Sequence, residues 1–205
     1  MYVSLSIYDK IMYSQNNEEQ IIVNYFGEFK GTFLDIGAHD GITLSNTRAL
    51  TYLGWNGICI EPSPEIFKKL LENNLFEKVK CYQFAIGESN NTVVFYNNPE
   101  FYSTMSETDR DKWANAGQKF TAIEVQQVDF KTFLEKSDIK TFDFISIDAE
   151  GVDWEILQQI DLKEIGCKMI CVEHNSIDTV KYYNYISKFG FKEIGRNAEN
   201  ILMAL

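Results

Sequence analysis

Short apolar runs alternate along this chain with stretches whose apolar positions recur every three or four residues. Thr32–Ile36, Gly57–Ile60, Phe142–Ile147 and Met169–Glu173 are runs of the first kind and predict buried strands. Between them, Glu18–Phe26 puts Ile22, Tyr25 and Phe26 on one helical face. Ile42, Ala49, Leu50 and Leu53 predict a helix starting directly after the glycine-bearing turn that ends at Gly41. Ser63-Pro64 fits an N-cap with proline at the first helical position, and Ile66, Phe67, Leu70 and Leu71 supply that helix's apolar face. Further on, Lys80–Ala85 predicts a third strand and Thr92–Tyr96 a short antiparallel addition. Regular structure resumes with Ala122–Val128 and a short helix near Lys131–Lys136. Val152, Ile156, Leu157 and Ile160 mark one more helix, Asp178–Lys188 the next, and Phe191–Gly195 with Ile201–Leu205 a closing hairpin. Residues 99–120 break the rhythm: polar, without a clean period, and carrying Phe101, Tyr102 and Trp113. The alternation predicts a doubly wound α/β fold, with about seven main strands in a mostly parallel sheet and helices on both faces.

Length and composition narrow the class. The 205 residues suit one domain, and 45% apolar with 24% charged residues exclude disordered and fibrous chains. Thirty acids against 19 bases leave a net charge of -11, which repels phosphate backbones and anionic membrane surfaces. Four cysteines (Cys59, Cys81, Cys167, Cys171) form no CxxC pair and read as reduced thiols. No basic patch followed by an apolar stretch opens the chain, and no apolar run approaches the ~20 residues needed to span a bilayer. A soluble, cytoplasmic protein is expected. His39 and His174 are the only imidazoles.

The chemistry concentrates at four strand ends. Phe33–Gly41 reads FLDIGAHDG, a buried strand running into D-x-G-x-x-x-G, where Gly37 and Gly41 permit a tight turn and close approach of a ligand. A nicotinamide fingerprint would want glycine where His39 and Ile42 stand, so that class is excluded. The second strand ends at Glu61-Pro62, about twenty residues on, where an acid is placed to accept both hydroxyls of a ribose. The same glutamate could instead serve only as a favourable charge at a helix start. FDFISIDAEG (142–151) and MICVEHN (169–175) are buried strands ending in polar clusters. In open α/β sheets ligands lie beyond the carboxyl ends of the strands, so Asp148, Glu150, Glu173 and His174 are expected to line one crevice. Such a cluster suits a general base or a divalent cation.

Taken in order, Ser14-Gln15 with Glu18-Glu19, FLDIGAHDG, Ser45-Asn46-Thr47, GWNGICIEPSPEIF (54–67), FDFISIDAEGVDWEIL (142–157) and ICVEHN (170–175) resemble the FkbM-type S-adenosylmethionine-dependent methyltransferases over nearly the whole chain. The resemblance implies a single Rossmann-like methyltransferase domain over residues 1–205, with a helical segment in 1–30, an acceptor-site insertion at 99–120 and an antiparallel last strand. It implies that the cofactor is S-adenosylmethionine, held by Gln15, Asp35, Gly37, Ala38, His39, Asp40, Gly41, Glu61, Pro62, Phe84, Ala85 and Asp148. In that arrangement the Gly37–Gly41 turn holds the methionine part, Glu61 the ribose, and Gln83–Ile86 the adenine. Asp148 lies near the transferable methyl. His39 stands where most of the family has asparagine.

The implied reaction is methylation of a hydroxyl on a sugar, glycan or small metabolite, with neither nucleic acid nor membrane as partner. A hydroxyl attacks well only as its proton leaves, so a general base is required. His174 suits that task, with an ordinary pKa near ~6.5; the same residue could simply orient Asp148 or cap a turn. Asp148 is the rival base, Glu173 accompanies them as a catalytic candidate, and Asp148, Glu173 and Asn175 are the candidate ligands if a divalent cation is used. The other classes open to this sequence are a cofactor-binding protein without turnover and a nucleic-acid N-methyltransferase. Asp148-Ala149-Glu150 and the acidic balance speak against the latter.

Overall fold

The computed structural model describes residues 12–74, 78–174 and 178–205. Strands β1 (Thr32–Ile36), β2 (Asn56–Ile60), β3 (Val79–Tyr82), β7 (Phe144–Ile147), β8 (Met169–Glu173), β9 (Lys192–Arg196) and β10 (Asn200–Ala204) form a seven-stranded sheet in the order β3-β2-β1-β7-β8-β10-β9. β1, β2, β3, β7 and β8 pair in parallel, while β10 runs antiparallel between β8 and β9. The order reverses beside β1, which puts a topological switch point between β1 and β7.

Successive residues of the central strands feed opposite faces, as the pleat requires. Leu34, Ile36, Ile145, Ile147, Ile170 and Val172 pack on one side against α5 (Phe130–Lys136), α6 (Asp153–Leu157) and α7 (Thr179–Ser187). Phe33, Cys59, Phe144 and Cys171 pack on the other against α1 (Glu18–Phe26), α2 (Arg48–Tyr52) and α3 (Pro64–Asn73). On α1, Ile22 and Phe26 are buried, but Tyr25 sits on the rim, its hydroxyl reaching the carbonyl of Lys168. The four cysteines are free thiols. Among the described residues no helix is long and apolar enough to cross a membrane.

Four elements differ from the periodicity. The helix expected directly after Gly41 begins only at Arg48. Leu44 sits at φ +58°, outside the right-handed helical region, and Ser45 Oγ accepts the N–H groups of Thr47 and Arg48, which a helix begun at Ile42 would give to Thr43 and Leu44. At α3, Ser63 does occupy the N-cap, but its side chain makes no capping bond. The expected strand Lys80–Ala85 is split: β3 ends at Tyr82, and β4 (Ala85–Ile86) joins a separate three-stranded sheet with β5 (Asn91–Asn97) and β6 (Thr121–Val128). Between β5 and β6, the irregular 99–120 segment contains α4 (Glu107–Asn115). No α4 residue is buried, so hydrophobic period could not reveal it. Its signal is at the ends: Ser106 Oγ accepts the Asp109 N–H, acids occupy the first turn, and Lys112 the last.

Candidate active site

Beyond the carboxyl ends of β1, β2, β7 and β8 lies a cavity of about 310 Å³. β1 and the turn after it contribute Asp35, Gly37, Ala38 and His39; β2 contributes Glu61 and Pro62. The segment between β3 and β4 adds Phe84, β4 adds Ala85, and the ends of β7 and β8 add Asp148, Glu150 and Glu173. Gln15 and Glu199 close the cavity near the α1 end, and Phe95, Phe101, Tyr102, Ser103, Met105 and Trp113 cover it from the small sheet and its insertion.

Backbone geometry fixes the floor. Gly37 adopts φ +85°, and a Cβ there would stand 1.7 Å from the Asp148 carbonyl oxygen. The ends of β1 and β7 therefore approach more closely than any side chain at position 37 would allow. Gly37 and Ala38 both donate to the Ile60 carbonyl at 3.0 Å, and Asp148 donates to Ile36 at 2.9 Å, locking the three strand ends together.

Glu61 is 6% exposed and held from both sides: His39 N–H donates to Oε2 at 3.1 Å and Ser63 N–H to Oε1 at 2.8 Å. Burial pushes its pKa up to about 7, opposed by the bond from Ser63 and the charge of His39. Asp35 accepts the Thr47 hydroxyl at 2.6 Å, and burial raises it to about 6. Asp148, raised by burial and by the charges of Asp153 and Asp35, is hydrogen-bonded to Glu173. Glu150 is raised by burial and by the neighbouring Asp148 charge. One ligand oxygen from each of Asp148, Glu150 and Glu173 falls within 4.8 Å of the others, a donor set able to hold a hard divalent cation.

The loop that presents Asp148 and Glu150 is tied down from two directions. The Asp153 carboxylate accepts the N–H groups of Ala149 (2.6 Å) and Gly151 (3.0 Å), and the Thr104 hydroxyl donates to the Glu150 carbonyl at 2.5 Å. Gly151, at φ +100°, leaves room for Asp109 of α4, whose Oδ2 would lie 2.0 Å from a Cβ at that position. Asp153 and Thr104 escaped the sequence reading because their partners are backbone atoms brought near by the loop's path.

Not every expected residue reaches the cavity. Asp40 spends its carboxylate on Ile42, Thr43 and the Thr43 hydroxyl, and these bonds, with His39, hold its pKa well below the usual range despite burial. Gly41 faces Leu70 and Asn74 of α3. His174 is 4% exposed but is not among the cavity's lining residues; its N–H donates to the Glu199 carbonyl and its ring centroid lies 6.4 Å from that of Tyr182. Burial and the charge of Arg196 lower its pKa. The two histidines thus do not share the crevice as expected: only His39 lines it. Asn175 lies outside the described residues.

Electrostatically the cavity is one-sided. Seven acids line it (Asp35, Glu61, Glu100, Asp148, Glu150, Glu173, Glu199), and among the described residues no lysine or arginine does.

A switch-point crevice below this strand order, with an antiparallel strand near the sheet edge, defines a Rossmann-like methyltransferase fold. The Methyltransferase FkbM domain model matches residues 35–193, and the chain belongs to that family. Among solved structures, the chain is similar to methyltransferase FkbM from Methylobacillus flagellatus, with a TM-score of 0.56 at 15% identity over 86% of this chain and 44% of that one. It is also similar to a precorrin-6y C5,15-methyltransferase from Geobacter metallireducens (TM-score 0.53, 13% identity, 96% of this chain and 92% of that one). A third is the T. thermophilus 16S rRNA N2 G1207 methyltransferase in complex with AdoMet and guanosine (TM-score 0.51, 13% identity, 96% and 43%). The chain spans less than half the length of the first of these. At such identities the likeness is one of fold. No curated protein matches the chain in sequence.

Proposed function

We propose that this chain is an S-adenosylmethionine-dependent O-methyltransferase, acting on a hydroxyl of a sugar, glycan or small metabolite. The observation that carries this is the cavity's lining: seven carboxyl groups, no lysine or arginine among the described residues, and an acid at the tip of β2 held by two backbone N–H groups. Such a surface suits a cationic ligand bearing a diol, and it disfavours phosphate-bearing ones. With its Oε atoms fixed by His39 and Ser63, Glu61 keeps lone pairs for the two ribose hydroxyls. Gln15, Gly37, Ala38, Pro62, Phe84 and Ala85 complete the surround.

When bound, S-adenosylmethionine supplies an electrophilic methyl on a sulfonium. The protein's part is to orient the hydroxyl, exclude water under the 99–113 cover, and take the proton. Asp148 is the general base of this proposal: it lines the cavity, and its raised pKa brings its basicity close to neutral pH. The Asp148 carboxylate would take the hydroxyl proton as the acceptor oxygen attacks, and the bound cofactor would supply the methyl and the sulfur leaving group. Asp153, through Ala149 and Gly151, holds that carboxylate's loop in place. Calorimetry with S-adenosylmethionine, followed by transfer of labelled methyl to hydroxyl acceptors, tests the assignment. Absence of cofactor binding would remove it.

A further inference from the structure

The 98–105 segment is built, not draped. Asn98, 2% exposed, donates from Nδ2 to the Lys119 carbonyl at 2.9 Å and accepts the Glu100 N–H on Oδ1 at 2.8 Å. Its own N–H is taken by Ser103 Oγ, which donates back to the Asn98 carbonyl at 2.9 Å. Tyr96 and Thr104 exchange backbone bonds of 2.9 and 3.2 Å across the base of the loop. These bonds fix the loop that carries Tyr102. Tyr102 from the loop and Trp113 from α4 meet with ring centroids 4.5 Å apart and an interplanar angle of 43°, and both face the cavity that holds Asp148 and Glu150.

The two halves of this subsite ask for different things. The rings offer aromatic faces, suited to the C–H face of a saturated ring, and their mutual tilt makes a wedge rather than a flat slot. In the same cavity, three carboxyl groups, of Asp148, Glu150 and Glu173, with one oxygen of each within 4.8 Å of the others, present several hydrogen-bonding positions. A flat phenolic acceptor would satisfy one of these and leave the rest desolvated and unpaired, which is costly. A polyhydroxylated ring satisfies several. Charge then selects among such rings. Of the α4 cations, Arg110 lies over Tyr96 and pairs with Asp111, while Lys112 Nζ lies 4.6 Å from the centroid of the Trp113 ring and its charge acts on Glu150. Neither lines the cavity.

Resting on the O-methyltransferase reading above, we propose that Tyr102 and Trp113 form the acceptor platform for a pyranose-type ring without negative charge, neutral or amino-substituted, whose hydroxyl is turned toward Asp148. Uronates and sugar phosphates are excluded by the surrounding acids. The specificity of the enzyme therefore resides in the insertion, and the cofactor half of the cavity does not set it.

The test uses the full chain with methyl-labelled S-adenosylmethionine and a panel of methyl pyranosides of neutral, deoxy and amino sugars, the matching uronates and hexose phosphates, and simple phenols. Transfer is expected to at least one neutral or amino pyranoside and to none of the anionic sugars. Trp113→Ala and Tyr102→Ala should each raise the acceptor KM by about tenfold, the scale of one aromatic contact, with S-adenosylmethionine affinity unchanged by calorimetry and Trp113→Phe restoring most of the loss. Transfer to uronates, preference for phenols, or an unchanged KM in both alanine variants would overturn the platform. An enzyme that binds S-adenosylmethionine yet methylates no pyranoside also overturns it, leaving the cofactor assignment standing. Failure to bind S-adenosylmethionine at all removes the functional reading beneath both.

Discussion

The imidazole Nε2 of His39 lies 3.1 Å from the carbonyl oxygen of Glu100, and the same ring packs 5.0 Å from that of Phe101. A residue of the glycine turn after β1 thereby latches the loop that covers the cavity. Its backbone N–H serves Glu61 independently of the side chain. His39→Ala should then loosen the cover while sparing the cofactor half. A lost hydrogen bond of about 1 kcal/mol corresponds to roughly fivefold faster amide exchange in residues 99–105, with S-adenosylmethionine affinity altered much less. Unchanged protection would show that the latch does not hold the loop.

Glu61 and the ribose make the sharpest binding prediction. Two charge-assisted hydrogen bonds at about 1.5–3 kcal/mol each mean that Glu61→Ala should weaken S-adenosylmethionine binding by at least an order of magnitude in calorimetry. Glu61→Gln, which keeps an acceptor but loses the charge, should fall between. Full affinity in the alanine variant would sink the assignment of this residue.

Asp148 and His174 separate cleanly in position, and so they should in kinetics. Asp148→Asn is expected to lower turnover by about 10²–10⁴-fold with a small effect on cofactor affinity. His174→Ala, at a residue that does not line the cavity, should leave turnover within about threefold, the scale of an indirect effect. Because the base must be ionised and its pKa is raised by burial and by the Asp153 and Asp35 charges, the acid limb of the rate profile should lie above the ordinary carboxylate range. Loss of turnover in the His174 variant alone would return the base role to the imidazole.

Stability should also depend on pH, with a definite sign. Asp35 is raised to about 6 and Glu61 to about 7, against unfolded values near ~4. Between these limits the folded protein holds more protons than the unfolded chain, so the free energy of unfolding falls as pH rises. The ligand-free enzyme should melt at its highest temperature near the acid end of that window and lose stability through about pH 7. Asp35→Asn should flatten the slope, and a melting temperature that climbs from pH 5 to pH 7 would contradict it.

What the sequence by itself determined was the set of elements whose signal is local and repeated. Apolar runs at Thr32–Ile36, Phe142–Ile147 and Met169–Glu173 mark buried strands, and their polar ends mark the crevice. Those ends pointed Asp148, Glu150, Glu173 and His174 toward one crevice, and the first three line the cavity. Tertiary structure alone decided what depends on atoms distant in the chain. His39 faces Glu100 and Phe101, 61 and 62 residues on, Thr104 grips the Glu150 carbonyl, and α4, with no fully buried residue, carries Trp113 to Tyr102. Asp40 was captured by the backbone of its own turn, and α2 was delayed by the left-handed Leu44. His174, at the end of the right strand, is absent from the cavity lining. Period and composition report which face of an element is buried; where a side chain at its end points is set by the neighbours that compete for it.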